Sequence, residues 1–327
     1  MSQIELDHLC KTFTVYKRGE GFLGALRGSL RREPQHIHAV RDISMRVEEG
    51  ELIGYIGPNG AGKSTTIKMM SGILVPDSGS IRIMGRIPHK ERTAHVSQIG
   101  VVFGQRSQLW WDTPVLDSFE LLRDIYRVPQ AEYKHRLDDL VSLLSAENLL
   151  SVPVRQLSLG QRMKCELIGA LLHRPRILFL DEPTIGLDAV TKLSLRAFLT
   201  DLNRRDGVTM LLTTHDMDDI EALCSRVMVI GRGQLLFDGS MDTLRAQYAP
   251  HRIIKARLSR ECETLSIPGA KHVHIDGRSA TITFLPQETP AEQIIARLAA
   301  ACPIADLTVE APDIERLIAD LYEELKL

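Results

Sequence analysis

Short apolar runs and helical periodicities alternate along the first two thirds of the chain. The opening stretch IELDHLCKTF sets Ile4 and Leu6 against polar neighbours, the period of two of a half-buried strand. A second such pattern, HAVRDISMRV, leads through the turn EEG into LIGYIG, a short apolar run that predicts a strand buried on both faces. Charge and helical periodicity dominate from about Val115 to Leu150. Two more apolar runs follow, RILFL and VTMLLTT, each preceded by a helical segment. Buried strands alternating with helices predict an α/β fold with a parallel sheet. Beyond Tyr248 the pattern changes to the short alternating stretches IIKARL, HVHID, ATITFL and DLTVE, with the amphipathic segments AEQIIARLAAA and DIERLIADLYEEL. This predicts a small α+β domain over 249–327 after a larger domain over 1–248.

Residues 57–65, GPNGAGKST, lie directly after LIGYI and before the helix-like IKMMSGIL. Strand, glycine loop and helix in that order are the context in which a P-loop binds phosphate. Gly57, Gly60 and Gly62 let the backbone wrap round an anion, so that loop N–H groups and a helix N-terminus face it. Gly57, Pro58, Asn59, Gly60, Ala61, Gly62, Lys63, Ser64 and Thr65 are therefore the candidate nucleotide-phosphate site. Lys63 is placed to reach the β- and γ-phosphates, and the Ser64 hydroxyl to hold Mg²⁺.

RILFLDEP puts two carboxylates at the C-terminal end of a buried strand, where open α/β sheets place their ligands. Strand alternation directs Asp181 and Glu182 to opposite sides and so predicts separate roles: Asp181 supports Mg²⁺, and Glu182 polarises the water that attacks the γ-phosphate. In LSLGQRMKCELIGALL, Ser158, Gly160 and Gln161 precede a helix rich in small and apolar residues. Ser158 is either a simple N-cap or part of a helix N-terminus aimed at a second nucleotide surface.

At LSLGQ the sequence resembles the ATP-binding subunits of ABC transporters, whose signature is LSGGQ, with Leu159 where the family has its first glycine. The resemblance covers about residues 1–245. It implies a P-loop NTPase nucleotide-binding domain with a helical subdomain, and a small accessory domain behind it that supports a dimer or senses a ligand. It also implies that Phe13 stacks on adenine and that Gln105 touches Mg²⁺ and the attacking water, with Gln108 as a rival because Gly104 leaves the register open. Asp188, ending IGLD, is the implied dimer-crossing residue, and His215 the implied γ-phosphate contact. Ser158, Leu159, Gly160 and Gln161 would act on ATP held by the other copy, and Ser64, Gln105 and Asp181 on Mg²⁺. The implied partners are a second copy of the chain and separate permease chains, through which ATP hydrolysis drives transport. VVFGQRSQLWWD and the long arm before HAVRDIS are similar to the bacterial exporter class. Trp110 and Trp111 then either anchor a permease or plug the seam between helical and core subdomains.

The charge balance adds little field of its own: 40 Lys plus Arg face 42 Asp plus Glu, and the net charge of -2 does not favour nucleic acid as a partner. Residues 249–327 hold nine basic and twelve acidic residues, again unlike a nucleic-acid module. No run approaches the roughly 18 to 20 apolar residues of a membrane span, and the first twenty residues lack a signal peptide's apolar core. The expectation is a cytoplasmic protein, peripheral on the inner face of the membrane through its permeases. Five scattered cysteines without a C-x-x-C pair predict neither a disulfide framework nor a zinc site. The arm over 16–38 is an insertion with Lys17, Arg18, Arg27, Arg31 and Arg32. Its Phe22, Leu23, Leu26 and Leu30 fall near one side of a helix, while four glycines oppose one. Docking on a membrane or permease and a solvated loop are its two readings.

Overall fold

The structure, a computed structural model, describes residues 2–16, 34–104, 106–248, 250–262 and 264–310, together with Ile318 and Tyr322. The chain divides into two compact units, 1–239 and 240–327.

The first unit opens with β1 (Ser2–Tyr16) and β2 (Pro34–Glu48), an antiparallel hairpin whose register ends with Tyr16 opposite Pro34. The ends of the expected arm are thus strand. Across the hairpin Thr12 and Thr14 meet His38 and His36, with Oγ1 to Nδ1 distances of 3.0 and 3.3 Å. Residues 17–33, which carry the arm's lysines and arginines and its Phe22, Leu23, Leu26 and Leu30, lie outside the described residues. β3 (Leu52–Ile56) leads through the glycine loop to α1 (Lys63–Met70), and β4 (Ser78–Ile83) returns to pair with β1. The short α2 (Arg92–Val96) precedes β5 (Ile99–Phe103).

A helical layer follows: α3 (Val115–Tyr126), α4 (Gln130–Leu144) and α5 (Leu159–Leu171). α3 and α4 each start directly after a proline, Pro114 and Pro129, whose fixed φ and missing N–H suit a helix start. The chain then alternates through β6 (Ile177–Asp181), α6 (Ala189–Asp206), β7 (Thr209–Thr213), α7 (Met217–Leu223), β8 (Arg226–Gly231) and β9 (Gln234–Gly239).

The main sheet has the order β5-β6-β7-β3-β8-β9, parallel except for β9. Every residue of β3 and β7 is buried, which is why these segments read as unbroken apolar runs. Ile4, Ile43, Tyr55, Met69, Phe179 and Met228 belong to one core that joins hairpin, sheet and α1. Parallel pairing sets Phe103 beside Asp181 and Asp181 beside Thr213. The C-terminal strand ends therefore share one edge, and the candidate site lies there.

The second unit begins with α8 (Met241–Tyr248), so the division falls after Gly239 rather than after Tyr248. It continues with β10 (Arg252–Leu258), β11 (Ala270–Asp276), β12 (Ser279–Phe284), α9 (Ala291–Ala301) and β13 (Ile304–Glu310). The antiparallel sheet β11-β12-β10-β13 buries Ile254, Ile282 and Phe284 with Ile294 and Leu298 of α9, an α+β unit. Of DIERLIADLYEEL only Ile318 and Tyr322 are described. All five cysteines are free thiols. No helix among the described residues is long and apolar enough to cross a membrane.

Candidate functional site

Between β3 and α1 the chain needs backbone that only glycine supplies readily. Gly60 and Gly62 have φ of 81° and 109°, and a Cβ at Gly62 would collide with the Ala39 carbonyl. Gly62 is the N-cap of α1, so that helix starts at Lys63 and directs its first N–H groups into the loop. Lys63 is 7% exposed, and its Nζ donates to the carbonyls of Gly57 at 2.6 Å and Pro58 at 3.1 Å. Burial pulls its ammonium below the usual lysine range, while Glu182 and Asp181 pull the other way. A cation curled over its own loop beside two carboxylates suits an incoming polyanion.

A cavity of 380 Å³ opens against this loop, lined among others by Asn59, Ser64, Gly104, Arg106, Asp181 and Glu182. The Ser64 hydroxyl donates to Asp181 Oδ1 at 3.3 Å, and Thr213 Oγ1 donates to the same oxygen at 2.6 Å. Strand alternation fails at the next residue. Glu182 has φ of 56°, its N–H donating to the Thr213 carbonyl at 2.9 Å and to Thr213 Oγ1 at 3.2 Å. Both carboxylates therefore line one cavity, not opposite sides as the strand pattern predicts. Gly104 makes this packing possible: its N–H donates to the Asp181 carbonyl at 2.7 Å, and a Cβ there would strike the Glu182 carbonyl.

Among the described residues no group of three or more His, Cys, Asp or Glu is placed to hold a metal. One hydroxyl and one carboxylate at 3.3 Å are a poor site for a cation that prefers an all-protein cage. They fit Mg²⁺, which keeps most of its oxygens from phosphate and water.

The other sequence candidates fall in three places. Phe13, 36% exposed on β1, shows a ring to solvent. His215 is exposed after β7, with Nδ1 3.7 Å from Glu182 Oε1. Gln105 lies outside the described residues. Its rival Gln108 does not line the cavity; its N–H and Nε2 are given to Glu166 of α5, at 3.1 Å to Oε2 and 2.9 Å to the backbone carbonyl.

Ser158 is the N-cap of α5 in a reciprocal capping box: Gln161 N–H donates to Ser158 Oγ at 3.3 Å, and Ser158 N–H to Gln161 Oε1 at 2.9 Å. Leu159 and Gly160 lie against the loop after β6 and the start of α6, since a Cβ on Gly186 would meet Leu159 Cδ2 at 2.7 Å and one on Gly160 would meet Thr191 Cγ2 at 3.1 Å. Asp188 caps α6 through Thr191, whose N–H and hydroxyl donate at 2.9 and 2.8 Å and hold the carboxyl below its usual range. None of Ser158, Leu159, Gly160, Gln161 or Asp188 lines the cavity of its own chain, as far as the described residues show. Trp110 and Trp111 are 41% and 51% exposed, so neither is a buried plug, whereas Leu109 beside them is buried against Gly169 of α5.

A buried network that no sequence pattern announces stands behind Glu182 and His215. Asp219 of α7 is fully buried, accepts from Arg196 Nε at 2.6 Å and from Thr184 Oγ1 at 2.5 Å, and so joins α6 and α7 to the loop after Glu182. Arg196 also pairs with Asp216 at 3.7 Å, and Lys192 donates to Asp216. Asp219→Ala leaves Arg196 facing a void, and because that side chain keeps 18% exposure the expected cost is near the low end for a broken buried pair, about 3 kcal/mol. Urea unfolding of the two proteins measures it; an unchanged midpoint contradicts the anchoring role.

Comparison with known proteins gives the same picture from a different direction. Residues 40–185 match the family described as ABC transporter. The ABC transporter ATP-binding protein NatA of Bacillus subtilis is 33% identical over 208 residues, 64% of this chain and 84% of the relative. The methionine import ATP-binding protein MetN of Geobacillus kaustophilus is 34% identical over 256 residues, 76% of this chain and 75% of the relative. Among solved structures, the ATP-binding cassette MJ0796, a dimer in a post-hydrolysis state bound to ADP and Pi, superimposes with a TM-score of 0.61 at 25% identity. That match covers 73% of this chain and 98% of the cassette.

Proposed function

Because the chain belongs to the family of ABC transporter ATP-binding subunits, ATPases that bind ATP with Mg²⁺, we propose that it powers export through separate permease chains. Two copies sandwich two ATP molecules, each held by the loop 57–65 of one copy and the segment 158–161 of the other. One observation carries the shared site: apart from capping α5 and α6, the exposed Ser158, Gln161 and Asp188 and the half-buried Gly160 contribute nothing to their own chain's cavity, which leaves this surface to a second copy. The apolar Val190 and Leu193, 74% and 63% exposed on the helix that Asp188 caps, supply that interface with area to bury.

Within each site Lys63 and the loop amides bind the phosphates, and Ser64 and Asp181 hold Mg²⁺, which neutralises phosphate oxygens when bound. Glu182 accepts a proton from the attacking water, and His215 approaches the γ-phosphate from beside it. Phe13 stacks on adenine and Gln105 contacts Mg²⁺. Residues 1–239 form the ATP-binding domain and 240–327 the accessory domain. Gain in affinity for ATP on closing drives the conformational cycle, since a ligand shifts an equilibrium only by its differential binding.

The direction rests on the likeness of VVFGQRSQLWWD to exporters, whereas one relative is a methionine importer. Reconstitution with its permease chains separates the two. Compounds that raise ATPase activity from the ATP-exposed face of proteoliposomes support export, and stimulation only from the opposite face refutes it. Deleting residues 17–33 should leave ATP affinity unchanged and reduce recovery with permease-containing membranes; equal recovery leaves the arm a solvated loop.

A further inference from the structure

Glu166 is a buried carboxylate in the middle of a helix. It is 2% exposed, eight residues past the N-cap of α5, and forms no ion pair with any described residue. Removing a carboxylate from water without a counter-ion is costly unless donors replace its hydration. Burial accordingly pushes its acidity down and its pKa up, opposed by bonds from Ser107 and Gln108 and by the charge of Arg162. All of its replacement donors come from one short segment. The Ser107 hydroxyl donates to Oε1, Gln108 N–H donates to Oε2 at 3.1 Å, and Gln108 Nε2 donates to the Glu166 carbonyl at 2.9 Å.

The same face of α5 holds the rest of that segment. Arg162, one turn before Glu166, sits over the Trp111 ring at 5.9 Å. Gly169, one turn beyond, has no side chain where Leu109 and Gln108 seat; a Cβ there would meet Leu109 Cδ2 at 3.4 Å and Gln108 Nε2 at 3.6 Å. The segment's other end is at the cavity. Arg106 lines it beside Asp181 and Glu182, and Arg106 N–H donates back to the Phe103 carbonyl at 3.1 Å. Eight residues of helix, about 12 Å at the usual rise, are all that separate Glu166 from Ser158.

We propose that Glu166 is a positioning residue that fastens the segment 106–109, which reaches the cavity at Arg106, to α5, so that a change at the nucleotide is passed as one rigid movement to the helix end at Ser158. This rests on the shared-site reading above. Glu166 touches neither nucleotide nor metal; it sets how loop and helix move together. Packed elements of this kind have few intermediate arrangements, so a hydrogen-bonded staple transmits a displacement that a loose loop absorbs.

The test uses the full chain. In Glu166→Gln the new NH₂ group either meets Gln108 N–H donor to donor or reverses the bond to Ser107 and replaces a charge-assisted bond by a neutral one, so the staple is weakened without a cavity. Hydrogen exchange without nucleotide should speed up about tenfold or more at residues 107–109 while 62–68 are unchanged. In the wild-type protein Mg-ATP should protect 106–109 and 158–163 together. In the variant it should protect 106–109 alone, with Mg-ATP affinity within about twofold and kcat lowered between about tenfold and a hundredfold, as misplacement of a site element does. A role confined to stability would lower the urea midpoint with kcat and joint protection intact, and that result overturns the proposal. If Glu166→Gln does not fold, Ser107→Ala removes one donor from the loop side and should show the same pattern more weakly; joint protection with wild-type kcat in that protein also overturns it. A wild-type chain that neither binds nor hydrolyses Mg-ATP sinks the shared-site reading instead, while exchange at 107–109 without nucleotide still reports on the staple.

Discussion

Glu182→Gln protein is expected to bind Mg-ATP and scarcely to hydrolyse it. Glu182 lines the cavity at the end of β6, fixed by its own left-handed φ of 56° and by Thr213, while the proposed phosphate-binding groups belong to the loop 57–65. The exchange removes a proton acceptor and keeps shape and hydrogen-bonding reach. Loss of a positioned general base costs about 10² to 10⁴ in rate, so kcat should fall by that order. Affinity should hold, because Lys63 Nζ already sits within the loop and does not bond to Glu182. A protein that binds ATP without consuming it accumulates in the closed state, so the variant with Mg-ATP should elute as a dimer on a sizing column. Turnover equal to wild type removes Glu182 from the reaction.

Local geometry was legible in the sequence, and three-dimensional closure was not. GPNGAGKST carries its meaning within nine residues, because a glycine loop between a buried strand and a helix dictates its own geometry. The parallel sheet was legible for a similar reason: LIGYI, ILFLD and TMLLT are too apolar to have a wet face. The direction of Glu182 was not, since its positive φ is imposed by Thr213 on a neighbouring strand, and alternation within β6 points the other way. Gly104 read as a disturbance of register, yet its lack of a side chain admits the Glu182 carbonyl. Asp219 is one acid among several on a short helix, and its role depends on Arg196 and Thr184 arriving from elsewhere in the chain. Glu166 stands in a run of apolar and small residues where only the loop from β5 could explain it. The division between the units moved for the same reason: α8 carries no signal in its own sequence of which unit it joins.

The central claim is that each ATP site is made by two chains, and it predicts rescue in a mixed dimer. Lys63→Ala removes the cation from the loop. Gly160→Asp adds a carboxylate at the end of α5, where it repels a γ-phosphate presented by the other copy. The new Cβ has Thr191 at 3.1 Å, so circular dichroism of each homodimer must first show a native fold. Both homodimers should be inactive. In a dimer of one Lys63→Ala chain and one Gly160→Asp chain, one site collects both defects, and the other joins an intact Lys63 to an intact Gly160. Vanadate-dependent trapping of nucleotide reads that single site even where two coupled sites cannot cycle. The account predicts trapping of about one nucleotide per mixed dimer and none in either homodimer. No trapping in verified mixed dimers, as expected if each chain built its site alone, would contradict it.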